Sequence, residues 1–327
     1  MRAGRITIST RQFEVVDVPT PVAAAGQVRI KVAAAGVCLS DVHLLEGILS
    51  PGFLSGDHVT LGHEVAGVVD QVGSGVNTSV IGDRVVLIAG ERNPAQQITT
   101  MGFDYDGGWA EYVVTKAELV VTIPDWFPFE QAAIIPDAVS TPWAAITSTA
   151  KVQAGEKVAV FGVGGLGIHA VQLLKIIGCA TVIAIDPRED ARSNALLRGA
   201  DFAYAPEDPA IKNHRGLHVA FDFAGVASVR KKALSLLGEQ GRLVIVGIAN
   251  EPIVIPSDMA FTYMRTQIMG HYGSDAHHVR ELIEFVRQGR LDLSQSVTEV
   301  LPLERAADAL NTLALKIDNP IRIVLKP

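Results

Sequence analysis

Residues 158–167, Val158-Ala159-Val160-Phe161-Gly162-Val163-Gly164-Gly165-Leu166-Gly167, decide the fold of the second half of the chain. An apolar run with the character of a buried strand ends in a glycine-rich turn, and a segment with helical periodicity continues to Ile177. Strand, Gly-x-Gly-x-x-Gly turn and helix, in this order, are typical of a dinucleotide-binding fold. The stretch therefore predicts a parallel-sheet domain that binds a nucleotide at this turn.

The residues of this turn have separate physical roles. Gly162 permits a tight turn, Gly164 lets the backbone approach a pyrophosphate, and Gly167 allows the helix to lie close to the sheet. Gly165 and Leu166 complete the turn, where free N–H groups and the positive end of the helix dipole would face the phosphates.

An acidic residue follows at the distance that a dinucleotide fold requires. Asp186 ends the second predicted strand, roughly 20 residues beyond Gly162, where a carboxylate accepts the ribose hydroxyls and repels a 2′-phosphate. The sequence therefore predicts NAD rather than NADP, and Arg188, two residues on, would weaken that preference. The alternative, a glycine-rich packing turn without a ligand, does not explain the acid.

Strands and helices alternate through the rest of this region, which predicts βαβ units and a doubly wound parallel sheet. The further strands are predicted at 180–186, 219–222, 242–248 and 268–272, and the further helices at 189–198 and 228–237.

The remaining sequence has a different character and predicts a second domain. The first 125 residues are rich in glycine and β-forming runs and predict a compact, partly open β-barrel-like domain, with strands at 28–32, 64–72, 83–88, 110–115 and 119–123. The C-terminal helices predicted at 276–288 and 303–315 and the strand at 321–325 are expected to return to that domain. We therefore predict one domain from residues 1–137 with 273–327, and a nucleotide-binding domain, 138–272, inserted between them.

Composition excludes several classes of protein. The 327-residue chain is 48% hydrophobic, has a formal charge of −7, and shows neither a basic stripe nor an uninterrupted apolar span, so we expect no nucleic-acid or membrane partner. Two cysteines cannot form a disulfide framework and fit a reducing compartment, so we expect a cytoplasmic protein.

Two short segments offer the ligands of a catalytic zinc ion. Cys38 supplies a thiolate, His63 an imidazole and Glu64 a carboxylate, and Asp137 is a candidate for a further ligand. A catalytic zinc ion needs three protein ligands and a fourth position that is open to water or substrate. Glu64 is either one of the ligands or lies just behind the metal. Asp41 is a candidate to accept the second N–H of His63. Cys38 or His63 alone would more commonly be a core residue, but their combination favours a metal site.

Together with Gly107-Gly108-Trp109-Ala110-Glu111-Tyr112, these motifs make the chain resemble a zinc-dependent alcohol dehydrogenase of the medium-chain dehydrogenase/reductase superfamily. The resemblance covers nearly the whole length. It implies an α/β protein with a GroES-like, β-rich catalytic domain and a Rossmann nucleotide-binding domain. It also implies a homodimer or homotetramer. A second zinc held by four cysteines, common in this family, is impossible here because the chain has only two cysteines.

The resemblance also implies roles for individual residues. Cys38, His63 and Asp137 would bind the catalytic zinc, Ser40 would hold the alcohol oxygen, and His43 would pass its proton to solvent. The implied cofactor contacts are Thr141 against the nicotinamide ring, Gly247 and Ile248 near its amide, and Arg322 at the pyrophosphate.

These features predict a zinc- and NAD-dependent alcohol dehydrogenase that interconverts a primary or secondary alcohol and its aldehyde or ketone. The alternatives are a polyol dehydrogenase, a zinc-free quinone or enoyl reductase of the same superfamily, and a nucleotide-binding protein without activity. A nearly apolar cleft would weigh against polyols, and its expected wall residues are Leu44, Leu45, Ile48, Phe53, Leu54 and Trp109.

Overall fold

The computed structural model describes residues 1–248 and 251–327 and divides the chain into two compact units. The first unit comprises Met1–Ser140 and Ser274–Pro327, and the second comprises Thr141–Gly273. In the described part of the chain, no helix has the length and apolar character needed to cross a membrane.

The N-terminal part of the first unit is built mainly from strands, whose alternating apolar residues, such as Val28, Ile30 and Val32, are buried. Its strands are β1 (Arg2–Thr7), β2 (Gln12–Asp17), β3 (Gln27–Val37), β4 (His58–Thr60), β5 (Val65–Val72), β6 (Arg84–Leu87), β7 (Gly90–Arg92), β8 (Ile98–Thr100), β9 (Tyr112–Lys116) and β10 (Val120–Thr122). Its helices are α1 (Leu39–Leu45) and α2 (Phe129–Ala133), with a 3₁₀ turn at Ala117–Leu119 and a π-helical turn at Ile135–Val139.

The second unit alternates strands and helices as the sequence predicts. Helix α3 (Ser140–Ala144) begins at the last residue of the first unit and continues into the second. The second unit further contains β11 (Lys157–Phe161), α4 (Gly167–Ile177), β12 (Thr181–Ile185), α5 (Glu189–Leu197), β13 (Phe202–Tyr204), β14 (Leu217–Asp222), α6 (Ala227–Leu236), β15 (Leu237–Ile245), α7 (Asp258–Tyr263) and β16 (Gln267–Gly270). A π-helical turn at Ala145–Thr149 and a 3₁₀ turn at Pro209–His214 complete it.

The chain then returns to the first unit. This segment contains α8 (Ala276–Arg287), β17 (Val297–Pro302), a 3₁₀ turn at Leu303–Arg305, α9 (Ala306–Leu315) and β18 (Arg322–Lys326). Strand β18 pairs antiparallel with the end of β3 and parallel with β17, so the C-terminus extends the main sheet of the first unit.

The sheets of the first unit meet around one apolar core. The main sheet has the order β10-β6-β5-β3-β18-β17, with β9 also paired to β3, beside a β2-β1-β4 sheet and a β7-β8 ribbon. Strand β3 is long enough to pair with β9 through residues 27–31 and with β18 through residues 35–37. Cys38 follows directly, so the metal-site segment leaves the centre of this sheet.

The sheet of the second unit is parallel throughout, with the order β13-β12-β11-β14-β15-β16. This is the doubly wound order in which two mononucleotide-binding halves meet between β11 and β14. The prediction of a doubly wound sheet is thereby confirmed. The predicted strand 242–248 differs, because β15 ends at Ile245 and the carbonyl of Asp222 accepts the N–H groups of Val246 and Gly247.

Candidate metal centre and dinucleotide site

Helix α1 places Cys38 at its N-terminus. The residue directly follows β3, adopts extended backbone angles, and caps the helix while its own N–H donates to Asp41 Oδ2 at 2.8 Å. A side chain that caps a helix in this way is fixed relative to the strand before it. Cys38 is buried, and its thiol points to the same place as the other predicted ligands.

Gly62 sets the position of His63. Its φ of +96° lies in the left-handed region, and an added Cβ would lie 2.2 Å from Trp109 Cδ1. The Gly62 carbonyl accepts the N–H of Gly108 at 2.8 Å. Only glycine fits this turn, which delivers His63 into the core just before β5.

Trp109 contacts both segments that carry predicted metal ligands, the one that ends in Cys38 and the one that contains His63. Its indole Nε1 donates to the Gly36 carbonyl at 3.0 Å, next to the end of β3, and its ring packs against Gly62. The expectation that Trp109 and Leu44 line a substrate cleft is wrong. Both side chains are fully buried in the core of the first unit, because burying their large apolar surface stabilises the fold.

Asp137 enters the site from the π-helical turn Ile135–Val139. Such turns widen a helix by one residue and are frequent at functional sites. Its Oδ2 lies 3.3 Å from Cys38 Sγ, which donates to it, and 3.5 Å from His63 Nε2. A thiol, an imidazole and a carboxylate therefore converge, with one ligand atom of each within 4.8 Å of the others.

These distances fit a tetrahedral zinc ion. For bonds of ~2.0–2.3 Å, tetrahedral directions separate neighbouring ligand atoms by about 3.3–3.6 Å. The two separations at Asp137, 3.3 and 3.5 Å, fall in that range. Three protein ligands would leave the fourth position for water or substrate, as a catalytic zinc requires.

Glu64 takes a place behind these three residues. Its Oε1 lies 2.8 Å from Arg322 Nη2 and accepts the N–H of Ala138 at 3.0 Å. Its Oε2 has no hydrogen-bond partner within the described residues and stands where a Cβ on residue 36 would be, which explains Gly36. The structure brings Glu64 to Arg322 rather than to the converging ligand atoms.

The site carries excess negative charge. The carboxylates of Glu64 and Asp137 contact the buried guanidinium of Arg322, and the buried carboxylate of Asp41 lies beside His63. Three acids therefore accompany one arginine before the Cys38 thiol is counted. Burying unbalanced charge is costly, and a divalent cation at the ligand atoms would offset it.

Several pKa values respond to this crowding. Burial raises the pKa of Glu64 to about 7, although the Arg322 charge opposes the shift. Burial alone would lower the pKa of His63, but the nearby Asp41 and Asp137 outweigh it and raise that pKa well above its ordinary value. The acids thus favour a positive charge at His63, and a bound cation would compete with a proton for that place.

The other predicted residues of this site lie on α1. Ser40 Oγ is 3.4 Å from His63 Nε2, beside the converging ligand atoms, and His43 lies one turn further along the helix, half-buried. Asp41 Oδ1 stands 3.6 Å from His63 Nδ1, close enough for attraction but beyond hydrogen-bond reach. Asp41 thus faces the ring nitrogen that the sequence assigns to it, and the hydrogen bond between them stays a prediction.

The glycine-rich turn of the second unit has the predicted geometry. Gly162 has a φ of +83°, and an added Cβ would lie 2.8 Å from the Ala224 nitrogen. A Cβ on Gly167 would lie 1.9 Å from the Gly162 carbonyl, so both glycines are required by packing. A Cβ on Gly164 would meet only Arg188 Nη2, at 3.5 Å, so the backbone of Gly164 faces open space. Gly165 and Leu166 complete the turn before α4, whose first residue is Gly167.

Asp186 follows β12, as predicted, but it is already bound by its neighbours. Its Oδ2 accepts the N–H of Val163 at 3.0 Å, and its Oδ1 accepts the backbone N–H and the Nε of Arg188, both at 3.0 Å. Arg188 Nη2 also reaches Oδ2 at 3.2 Å. A positive charge therefore accompanies the acid that the sequence assigns to the ribose.

The remaining predicted cofactor residues fall at three places. Gly247 and Ile248 follow β15 at the carboxyl edge of the parallel sheet, and Ile248 is exposed. Thr141 is buried, and its carbonyl lies 3.0 Å from His271 Nε2. Arg322 is buried in the first unit, where it contacts Glu64 and Asp137. Its predicted pyrophosphate contact stays a prediction.

Sequence reasoning missed one charged pair at the cofactor edge. Asp222 ends β14 and binds Arg230 of α6, with 2.9 Å between Oδ2 and Nε, and both side chains are buried. The available signal was an acid at a strand terminus, the same signal that identified Asp186. The second signal was an arginine, Arg230, on the face of α6 that also carries the buried Ala233. A buried arginine needs an acidic partner.

Two protein-family models match the chain. The alcohol dehydrogenase GroES-like domain matches residues 24–125, and the zinc-binding dehydrogenase family matches residues 165–288. The chain is 31% identical to an alcohol dehydrogenase of Geobacillus stearothermophilus over 347 aligned positions, covering 100% of this chain and 99% of that protein. It is 29% identical to the sorbitol dehydrogenase of Bacillus subtilis, with 98% and 95% covered.

The fold of the chain is also similar to that of solved alcohol dehydrogenase structures. The alcohol dehydrogenase of Aeropyrum pernix superimposes with a TM-score of 0.88 at 29% identity, and the match covers 100% of both chains. The GroES-like character of the first unit, predicted from the sequence, is confirmed by these comparisons.

Proposed function

The chain belongs to the zinc-type alcohol dehydrogenases of the medium-chain dehydrogenase/reductase superfamily, and from that membership we propose a zinc- and NAD-dependent oxidation of small alcohols. A primary or secondary alcohol would give the aldehyde or ketone, and the reaction is reversible. The observation that carries the proposal is the convergence of Cys38, His63 and Asp137 at distances suited to tetrahedral zinc.

The zinc would be held by Cys38, His63 and Asp137, with Glu64 behind them. When bound, it would supply a Lewis acid that lowers the pKa of the alcohol hydroxyl. Arg322 Nη2 forms an ion pair of 2.8 Å with Glu64 Oε1, which would hold that carboxylate behind the three ligands. The fourth coordination position would then be left to substrate rather than to a further protein ligand.

Ser40 and His43 would carry the proton away from the alcohol. Ser40 Oγ lies 3.4 Å from His63 Nε2, which supports a place for the alcohol oxygen beside the serine. Burial lowers the pKa of His43, with Glu46 opposing, so the imidazole is neutral near pH 7 and able to accept a proton. The serine would hand the proton on, and the histidine would release it to solvent.

The second unit would bind NAD at the carboxyl edge of its sheet. The Gly162–Gly167 turn would hold the pyrophosphate, and Asp186 with Arg188 would lie at the adenosine ribose. Gly247, Ile248 and Thr141 would lie toward the nicotinamide. NAD supplies the hydride acceptor, and the protein supplies orientation.

A panel of primary, secondary and cyclic alcohols, assayed with NAD and with NADP, tests the proposal. We expect NADH formation with at least one class of alcohol and a stoichiometric amount of zinc by elemental analysis. A protein that binds zinc and NADH but oxidises no member of the panel would contradict it.

A polyol is the second candidate substrate, because the sorbitol dehydrogenase of Bacillus subtilis is among the similar proteins. Against it, the loop after α1 presents the large apolar side chains of Ile48 and Phe53 to solvent. Sorbitol and a butanediol in the same panel separate the two. Higher kcat/KM for the polyols would favour this alternative over a simple alcohol.

A zinc-free quinone or enoyl reductase has less support. Such an enzyme has no use for a thiol, an imidazole and a carboxylate meeting at tetrahedral spacing. Reduction of a conjugated enone by NADH or NADPH after zinc removal would revive this reading.

We also propose that the protein self-associates as a dimer or tetramer. An exposed apolar surface is typical of a protein–protein contact, and one segment of the second unit exposes five large apolar side chains: Ile253, Val254, Ile255, Met259 and Tyr263. Light scattering coupled to size-exclusion chromatography is expected to give at least twice the chain mass. A monomer at micromolar concentration would contradict this.

A further inference from the structure

We propose that Arg230 is a positioning residue that holds the nicotinamide half of the cofactor site in its binding-competent arrangement. The inference rests on the proposed function, because it assumes that NAD binds at the carboxyl edge of the parallel sheet. It assigns a role to a buried ion pair that is separate from the glycine-rich turn and from Asp186.

The strand order locates this pair in one half of the site. In the order β13-β12-β11-β14-β15-β16, the adenosine half lies at β11 to β13 and the nicotinamide half at β14 to β16. Asp186 follows β12 and belongs to the first half. Asp222 ends β14, Gly247 follows β15, and both belong to the second half.

Arg230 connects the two loops of that second half. Its Nε donates to Asp222 Oδ2 at 2.9 Å, and its Nη2 donates to the Gly247 carbonyl at 3.2 Å. Asp222 Oδ1 accepts the N–H groups of Ala224 and Gly225, at 3.0 and 2.9 Å, which folds the loop after β14 around the carboxylate. One guanidinium therefore fixes both loops at once.

The two loops are in direct backbone contact, so a shift in one moves the other. A Cβ on Gly247 would lie 2.4 Å from the Gly225 nitrogen, and a Cβ on Gly225 would lie 2.6 Å from the Ile248 carbonyl. Neither loop can relax alone in such close packing. Gly247 and Ile248 are the residues expected near the nicotinamide amide.

The chemistry of the side chain is specific to arginine. A planar guanidinium donates in two fixed directions, whereas a lysine ammonium is a point charge on a flexible stem. Arg230→Lys retains the positive charge beside the buried Asp222 but cannot hold both Asp222 and Gly247 in the same geometry. This variant therefore removes the tether while leaving the buried carboxylate compensated.

The chain offers a matched control in the same sheet, at the amino ends of the strands rather than at their carboxyl ends. Arg242 pairs with Glu156 and donates to the Ala150 carbonyl at 2.6 Å, near the amino ends of the strands. Arg242→Lys removes the same kind of fork from the same unit, away from the cofactor edge. It reports what loss of a structural arginine alone does.

The test measures NADH binding by fluorescence and 5′-AMP binding by calorimetry for the wild type, Arg230→Lys and Arg242→Lys. For Arg230→Lys we expect the NADH Kd to rise about tenfold, the effect of losing one charge-assisted hydrogen bond. The Kd for 5′-AMP, which occupies only the adenosine half, is expected to stay within about twofold. Arg242→Lys is expected to change neither Kd, even where it lowers Tm.

Equal changes in both variants, or a parallel loss of NADH and 5′-AMP binding in Arg230→Lys, would show that the pair serves only general stability and overturn the inference. An unchanged NADH Kd in Arg230→Lys would overturn it too. A wild type that binds no NADH would overturn the proposed function, which distinguishes the two failures.

Discussion

Asp186 illustrates how one neighbouring side chain alters what a sequence motif can do. The carboxylate that would repel a 2′-phosphate is held by the guanidinium of Arg188 through contacts of 3.0 and 3.2 Å. Since that guanidinium stands beside Gly164, it also lies next to the phosphate-binding turn. We therefore expect the pair, rather than the acid alone, to set the discrimination between NAD and NADP.

Removal of Arg188 should sharpen the preference for NAD. In Arg188→Ala the Asp186 charge is no longer offset, so we expect the ratio of Kd for 2′,5′-ADP to Kd for 5′-AMP to rise about five- to tenfold. Calorimetry with the two nucleotides measures this without turnover. Arg192→Ala is the control, because the Arg192 guanidinium donates to the backbone carbonyls of Asp186 and Pro187 rather than to the Asp186 carboxylate. An unchanged ratio in Arg188→Ala would contradict the role of the pair.

His43 makes a pH prediction. Its pKa is lowered by burial, so the neutral form that accepts a proton persists below the ordinary value of 6.5 and is lost only as the pH falls further. We expect kcat for alcohol oxidation to hold through neutral pH and to decline on that more acidic limb. His43→Gln should lower kcat at least about tenfold near pH 7 and abolish the limb.

The exposed His58 on β4 provides the matched variant for this measurement. His58→Gln should leave the pH profile of kcat unchanged. A full rate near pH 7 in His43→Gln would remove the histidine from the proton path.

At the scale of elements, the glycine-rich turn separates packing from binding. Gly162 and Gly167 have no room for a Cβ, whereas Gly164 does. We therefore expect Gly164→Ala to keep the wild-type Tm and to weaken NADH binding about tenfold, because the added methyl intrudes on the pyrophosphate. Gly167→Ala should instead lower Tm, since its Cβ would overlap the Gly162 carbonyl. Wild-type NADH affinity in Gly164→Ala would contradict the proposal that the pyrophosphate binds at this turn.

The buried indole of Trp109 connects the end of β3, which precedes Cys38, to the turn that precedes His63. Trp109→Ala should destabilise the protein by about 3–5 kcal/mol and reduce its zinc content, because the cavity and the lost bond to Gly36 loosen both segments. Trp126→Ala, at an exposed tryptophan, should cost less than about 0.5 kcal/mol. Urea unfolding with elemental analysis checks both. Equal zinc content in the two variants would argue against the joining role.

Periodicity and turn residues predicted most of the elements because these signals are local. The run that became β11, with its turn and α4, was predicted within two residues at each end. Strand β13 was not predicted, because alternation over its three residues is indistinguishable from a loop. The longer strands β2 and β17 were not predicted either. The burial of Trp109 and Leu44 also escaped, since an apolar side chain lines a cleft or fills a core with the same local pattern.

At the scale of the whole molecule, the sequence could not specify long-range pairing. Strand β18 pairs with β3 across nearly the entire chain, and β17 joins it in parallel, although only the return of the tail to the first domain was predicted. The placement of Arg322 against Glu64 follows from this pairing, so no local signal could reveal it. The ligand and cofactor roles of individual residues stay predictions until binding is measured.

Metal content and turnover, determined together on the wild type and Cys38→Ser, test the central claim most directly. We expect one zinc per chain and alcohol-dependent NADH formation in the wild type, and neither in Cys38→Ser, which should still bind NADH because the second unit is unaltered. Alcohol oxidation at the wild-type rate by Cys38→Ser, or by wild-type protein freed of zinc with a chelator, would contradict the account.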